Sequence, residues 1–169
     1  DKMTQKLREG LETALSLAQD GQHQQVEPEH LILALLRQDD SVVVNILDAL
    51  GVPSFDMIKS VEQALDGFTR VSGSKGQPYL SQRSEKLFKD AEHVASALHD
   101  DFMSAEHIVL AEFADPQSAL ASEFKKHDVT KDAVLSALSA IRGSQRVTDE
   151  NPEAKYKPLE KYGKDLTQL

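Results

Sequence analysis

An all-α fold, built from two copies of a four-helix unit, is what the residue pattern predicts. Three observations carry that prediction. Apolar residues recur at three- and four-residue steps along almost the whole chain, the period of a helix rather than a strand. Ser, Thr and Gly stand where such helices should begin and end. Matched positions also recur at a constant spacing, as in His30 and His107, 77 residues apart, which marks an internal duplication.

Met3, Leu7, Leu11, Ala14, Leu15 and Ala18 place an amphipathic helix over residues 4–19. Leu31 to Leu36 is an unbroken apolar run, with Pro28 in the expected first turn and Glu27 and Glu29 at the positive end of the dipole. A helix apolar on every side belongs in the middle of a bundle. Ser41 caps the next helix, Val42–Leu50, and Gly51 ends it. Ser54 starts a fourth, with Ile58, Val61 and Leu65 inward. Residues 66–80 (DGFTRVSGSKGQPYL) hold three Gly, two Ser and one Pro and are read as a linker. Ser81 then opens a helix with Leu87, Phe88, Ala91, Val94, Ala95 and Leu98 inward, and Ser104 opens another through His107–Phe113. Helices over 116–126 and 130–141 follow, the last with Val134, Leu138 and Ile141 inward.

The spacing of 77 pairs Thr4 with Ser81, Ala14 with Ala91, Glu29 with Glu106, Leu33 with Leu110, Ser41 with Ser118 and Val52 with Val129. No gap is needed from residue 3 to 65. Identities are few, so the shared phase of caps and core positions carries the argument. The expected picture is two four-helix units, related by an approximate twofold and sharing one apolar seam. The domain is read as 1–142, with a first repeat 3–65, the linker 66–80 and a second repeat 81–142. The polar stretch 143–158, with its two prolines, reads as a flexible tether. Residues 155–169 begin a helical pattern inside which the sequence stops.

Composition narrows the functional classes. Of 169 residues, 40% are hydrophobic and 28% charged, which suits a folded domain. The formal charge is −9, so a phosphate backbone is repelled and nucleic acid is a poor partner. Aromatic residues make up only 5% and Trp is absent, which leaves little for base stacking. With no Cys, disulfides, thiol catalysis and Cys-ligated zinc are excluded. No apolar run approaches the roughly 18 residues of a membrane span. The N-terminus lacks a signal pattern, so a cytoplasmic location is expected. No G-x-x-x-x-G-K-[ST] occurs, so these residues form no Walker-type phosphate loop and are not expected to act as an enzyme themselves.

The block Pro28-Glu29-His30-Leu31-Ile32-Leu33-Ala34, its partner Ala105-Glu106-His107-Ile108-Val109-Leu110-Ala111, and the tail from Leu159 to Thr167 (LEKYGKDLT) resemble the N-terminal domain of Clp-family AAA+ unfoldases. The tail is most similar to ClpB-type disaggregases, where such a segment leads into the first ATPase module. The resemblance covers residues 3–169. It implies a double Clp N motif bundle that recognises exposed apolar segments of unfolded or aggregated client proteins in a groove and passes them to the pore of a homohexamer. ATP and magnesium would belong to the parent protein. The DnaK chaperone system would act through other domains. The alternative is the adaptor-docking N-domain of a ClpA- or ClpC-type unfoldase. A helical scaffold unrelated to ATPases is a third reading.

Carried over from the family, the groove positions are Thr4, Val94, Asp100, Glu106 and His107. Each has a plainer reading. Thr4 and its equivalent Ser81 are explained as N-caps. Glu29 and Glu106 sit in first helical turns, where the dipole favours a carboxylate; ClpC-type relatives use glutamates of this block to hold phosphorylated arginine. Val94 fits ordinary packing, as does its equivalent Leu17. Asp100 is equivalent to His23, so the repeat offers no structural reason for its charge. It and Glu106 are expected at the rim of the groove. His30 and His107 lack a second ligand at i+4 and no H-E-x-x-H occurs, so hydrogen-bonded helix-start histidines are expected. The cluster His93, His99, Asp100 and Asp101 has no fixed metal spacing. The paired acids Asp39–Asp40 and Asp100–Asp101 are read as solvated loop charge, and no Ser sits in a nucleophile elbow.

Overall fold

A computed structural model of the chain describes residues 2–73 and 76–143. The expected tether from residue 144 onward and the tail 159–169 lie outside the described residues. Eight helices follow one another: α1 (Gln5–Asp20), α2 (Pro28–Leu36), α3 (Val42–Leu50), α4 (Ser54–Asp66), α5 (Gln82–Ala97), α6 (Ala105–Glu112), α7 (Ala119–Lys126) and α8 (Lys131–Arg142). Every helix start in α1–α4 recurs 77 residues later in α5–α8.

Side-chain oxygens begin most of them. Leu7 N–H donates to Thr4 Oγ1, Val44 to Ser41 Oγ, Ser84 to Ser81 Oγ, Ala121 to Ser118 Oγ and Ala133 to Thr130 Oγ1, at 3.0–3.3 Å. Removing such a cap costs about 1 kcal/mol. Helix ends are matched as well. Gln22 and His99 both have φ of 60°, and Gly51 and Asp128 have φ of 72° and 58°. The left-handed region is open to Gly and tolerated by Asp. The helix expected over 116–126 begins only at Ala119. Ahead of it, Gln117 N–H donates to Asp115 Oδ1 at 2.9 Å, an Asx turn that diverts the backbone.

All nine residues of α2 and all eight of α6 are buried. Against α2 lies α1, close enough that a Cβ on Gly10 would come within 2.7 Å of Leu35 Cδ2. The pairs α1–α2 and α5–α6 pack within a repeat, whereas α3 packs on α8 and α4 on α7, across repeats. The two units share one core, as expected, but they are interleaved rather than set side by side: the last helix of each repeat docks on the third helix of the other.

Two short parallel contacts reinforce this exchange. Strand β1 (Gln25–Val26) pairs with β2 (Tyr79–Leu80), in the register Gln25 with Tyr79 and Val26 with Leu80. Met3 forms an isolated parallel bridge with Met103. Adding 77 to Val26 gives Met103, and subtracting it from Leu80 gives Met3, so these are one contact made twice. The segment entering each repeat's first helix is bonded to the loop of the other repeat: Ser81 N–H donates to the Val26 carbonyl at 3.2 Å and Thr4 N–H to the Met103 carbonyl at 2.9 Å. The expected linker therefore ends in a strand. Two residues are too few to show an alternating pattern.

No atom lies within 4 Å of a Cβ built on Gly51, so substitution there acts through the backbone alone. Gly51→Ala should lower stability by about 1 kcal/mol, read as a lower urea midpoint at unchanged m-value.

Candidate functional site

The starts of the two buried helices carry the polar chemistry. His30 Nδ1 accepts the Glu27 N–H, and His107 Nδ1 accepts the Ser104 N–H, both at 2.9 Å. Each imidazole thereby satisfies an N–H that a buried helix start would otherwise leave unpaired. Because Nδ1 accepts, the ring hydrogen sits on Nε2. In the first repeat that Nε2–H reaches His23 Nδ1 at 3.0 Å. In the second it reaches Asp100 Oδ2 at 2.7 Å. The helix-start role expected for both histidines is what this geometry provides.

Asp100 is held by more than His107. Arg142 Nη1 donates to its Oδ2 at 2.9 Å and Nη2 to its Oδ1 at 2.5 Å. The same guanidinium lies 3.8 Å from Glu106 Oε2, and Ser104 Oγ donates to Glu106 Oε1 at 2.5 Å. Asp100 is 8% exposed, and Ser104, Glu106 and His107 are fully buried. The structure thus brings Asp100, Glu106 and His107 together, but inside the protein and bonded to it. They do not stand at a rim. The reason for a carboxylate at position 100, which the repeat did not supply, is the His107–Arg142 pair. Arg142 was missed by sequence reasoning. The available signal was a double departure from the repeat, since Asp100 replaces His23 and Arg142 replaces Leu65 at equivalent positions.

Thr4 is fully buried, with its hydroxyl capping α1 and its N–H on Met103. Val94 is half-buried and packs against the core. His93, His99 and Asp101 are exposed while Asp100 points inward, so that cluster does not converge.

Ser104, His107 and Asp100 form a line that imitates a nucleophilic triad, with Ser104 Oγ 3.3 Å from His107 Nδ1. It has no catalytic capacity. His107 Nδ1 is occupied by a backbone N–H, the Ser104 hydroxyl donates to Glu106, and no substrate reaches a fully buried serine.

The equivalent carboxylate of the first repeat, Glu29, is also buried. Arg83 grips it bidentately, with both N–O distances 3.1 Å, and also donates to Asp115 Oδ2 at 2.7 Å. Burial works against the Arg83 charge, but these bonds outweigh it and raise the guanidinium above its ordinary value. Glu29 Oε2 additionally accepts the Ala119 N–H at 3.2 Å, at the start of α7. Its oxygens are thus committed within the chain, which argues against a guanidinium of a client at this position.

Beside this group lies Glu112, 1% exposed, where the first repeat has Leu35. Among the described residues neither of its oxygens has a hydrogen-bond partner. Burial pushes its carboxyl up to about 8, Glu29 and Asp115 push the same way, and nearby Ser118 and Arg83 oppose the shift. His30 moves in the opposite sense: burial, then His23, lower it to about 4.

Two open depressions lie on the first-repeat side, one around Gln19, Gln22, His23 and Val71 and the other around His23, Phe68, Thr69 and Tyr79. Neither reaches Val94. Among the described residues no helix is long and apolar enough to cross a membrane.

A family model described as the Clp repeat (R) N-terminal domain matches residues 2–127. The chain is 40% identical over 167 residues to the chaperone protein ClpB of Bdellovibrio bacteriovorus, covering 99% of this chain and 20% of that protein. It is 37% identical over 169 residues to ClpB of Bacillus cereus, with 98% and 19% covered. The chain spans about a fifth of the length of the curated relatives it matches. Among solved structures, the Hsp104 N-terminal domain from Candida albicans has a similar fold, with a TM-score of 0.78 at 18% identity over 90% of this chain and 99% of that one. A complex of the ClpV N-domain with a VipB peptide gives a TM-score of 0.66 at 23% identity, covering 82% and 85%.

The two shifted groups act in opposite directions. His30 takes up a proton more readily unfolded than folded, so its contribution is complete above pH 6.5 and is lost as the pH falls toward about 4. Glu112 keeps its proton when folded, so its contribution is complete below pH 4.5 and is lost as the pH rises toward about 8. Glu112→Leu should flatten the fall in stability between pH 6.5 and 8 and add about 1–3 kcal/mol at pH 8, the cost of an unsatisfied buried polar group. Urea titrations across this range check it, and parallel curves for the two proteins would contradict it.

Proposed function

The chain belongs to the Clp repeat N-terminal domain family, and from that membership we propose that it is the client-recognition domain of a ClpB-type AAA+ disaggregase. The observation that carries the reading is similarity to ClpB chaperones across 98–99% of the chain, including the stretch beyond residue 127. A complex of the ClpV N-domain with a VipB peptide supports the reading, since a similar fold binds a peptide in another protein.

Client contact falls to half-buried apolar residues: Val94 and Leu98 near the end of α5, and Met3, Phe102 and Met103 at the inter-repeat bridge. Thr4, Asp100, Glu106 and His107 act beneath this surface, fixing the loop between α5 and α6. A buried aliphatic side chain contributes about 1.5–3 kcal/mol, so a few partial contacts give weak, reversible binding of apolar segments with little sequence preference. Six copies in a parent homohexamer restore affinity through avidity. In this reading residues 1–142 form the recognition domain, 143–158 tether it, and 159–169 lead to the first ATPase module. There ATP and magnesium act, and the DnaK system engages other domains of the parent.

Val94→Glu places a charge on the proposed surface without touching the buried polar group. It should weaken binding of a permanently unfolded, fluorescently labelled client about tenfold, the equivalent of roughly 1.4 kcal/mol, with circular dichroism unchanged. Unaltered anisotropy titrations would remove Val94 from the surface.

A further inference from the structure

The interface of α4 with α7 carries a side-chain group that client binding does not use. Glu123 lies on α7, His127 is the C-cap residue one turn later, and Asp56 comes from the first turn of α4. One ligand atom of each lies within 4.8 Å of the others. His127 Nε2 is 3.0 Å from Glu123 Oε2 and 3.9 Å from Asp56 Oδ2. Zinc bonds of about 2.0–2.2 Å in tetrahedral geometry set ligand atoms roughly 3.3–3.5 Å apart. The two separations bracket that value, the third, Glu123 to Asp56, is within 4.8 Å, and side-chain rotation that moves ligand atoms by about 1–1.5 Å brings the three to it. We propose that Asp56, Glu123 and His127 form a three-ligand site for a borderline divalent cation of the zinc type, joining the first repeat to the second.

Three further features favour it. The outer oxygen of the buried Glu123 is already held: Ser60 Oγ, on α4, donates to Oε1, which leaves Oε2 facing His127. A hydrogen-bonded ligand carboxylate of this kind is the usual support for a metal site. Glu123 is only 6% exposed, so packing as well as the Ser60 bond fixes the orientation of its carboxylate. Finally, the equivalent positions of the duplicated interface, α3 against α8, hold Ile46, Leu50, Ala133 and Ala137 in place of Glu123, His127, Asp56 and Ser60. Packing alone is served by apolar residues at one interface; at the other, four polar residues stand together. A nitrogen donor among oxygens selects zinc, cobalt or nickel over magnesium or calcium. Asp56 and His127 side chains are 45% and 28% exposed, so an ion has a path in from solvent. Lys126 Nζ, 3.7 Å from Glu123 Oε1, is the competing cation, but its side chain is 68% exposed and free to swing outward.

The test uses the full 169-residue chain, stripped with a chelator and titrated with zinc chloride at pH 7.5 by calorimetry. Cobalt(II) absorption reports geometry. One equivalent of zinc should bind, raise the melting temperature and give the intense visible bands of low-coordinate cobalt, with magnesium in excess failing to compete. His127→Gln and the surface change Asp56→Asn should each weaken zinc binding tenfold or more while retaining the helical circular-dichroism spectrum. Absence of stoichiometric binding overturns the proposal and leaves the three side chains as a hydrogen-bonded ion-pair group. Equal affinity in both variants and the parent chain also overturns it, assigning any binding to other histidines.

Discussion

Enclosing α2 and α6 on every side removes water from the helix starts, and the unpaired N–H groups there must find partners within the protein. Histidine meets the need at Glu27 and at Ser104 by accepting at Nδ1, but this turns a donor outward from Nε2. That donor requires an acceptor in turn. The first repeat answers with His23, a neutral ring. The second answers with Asp100, whose charge then calls for Arg142 from the last helix. The chemical contrast between the halves thus descends from one requirement, that no buried polar group be left alone. Glu112 is one place where the requirement is unmet, as His23 Nε2 is another, and burial drives the Glu112 carboxyl toward the neutral form.

This ordering bears on how the proposed client surface is built. The loop between α5 and α6 is anchored from beneath by ionic bonds and at its end by the Met3–Met103 bridge. Apolar side chains above it can then be offered to an extended segment without the backbone collapsing onto them. In the proposed reading, specificity is low because the polar groups with directional preferences face inward, while the outward contribution is apolar and non-directional.

Local chemistry was the readable part of the sequence. Thr4, Ser41 and Ser81 announce their helices through residue type alone, Gly51 announces an end, and the apolar run from Leu31 to Leu36 announces a helix with no wet face. The repeat could be phased because those signals recur at one spacing. What escaped was long-range. The β1–β2 pairing is two residues long, and its partners come from segments without periodicity. Arg83 carries no mark of the carboxylates it meets, because neither lies nearby in sequence, and Arg142 is marked only by its departure from the repeat. Asp100 and Glu106 were expected at a groove rim because the family resemblance placed them there; the Arg142 partner reverses that expectation.

The reciprocal crossing of terminal helices, with each entering segment bonded to the opposite loop, is the arrangement that two separate copies of a single-repeat chain would adopt across a twofold axis. In such a pair, any mutation is imposed on both sides at once. Joining the copies covalently lifts that restriction, and the chain shows the outcome at equivalent positions: His23 corresponds to Asp100, Leu65 to Arg142, and Ile46 to Glu123. The duplicated frame thus tolerates different residues at equivalent positions, and the second repeat holds the Asp100–Arg142 pair where the first has His23 and Leu65.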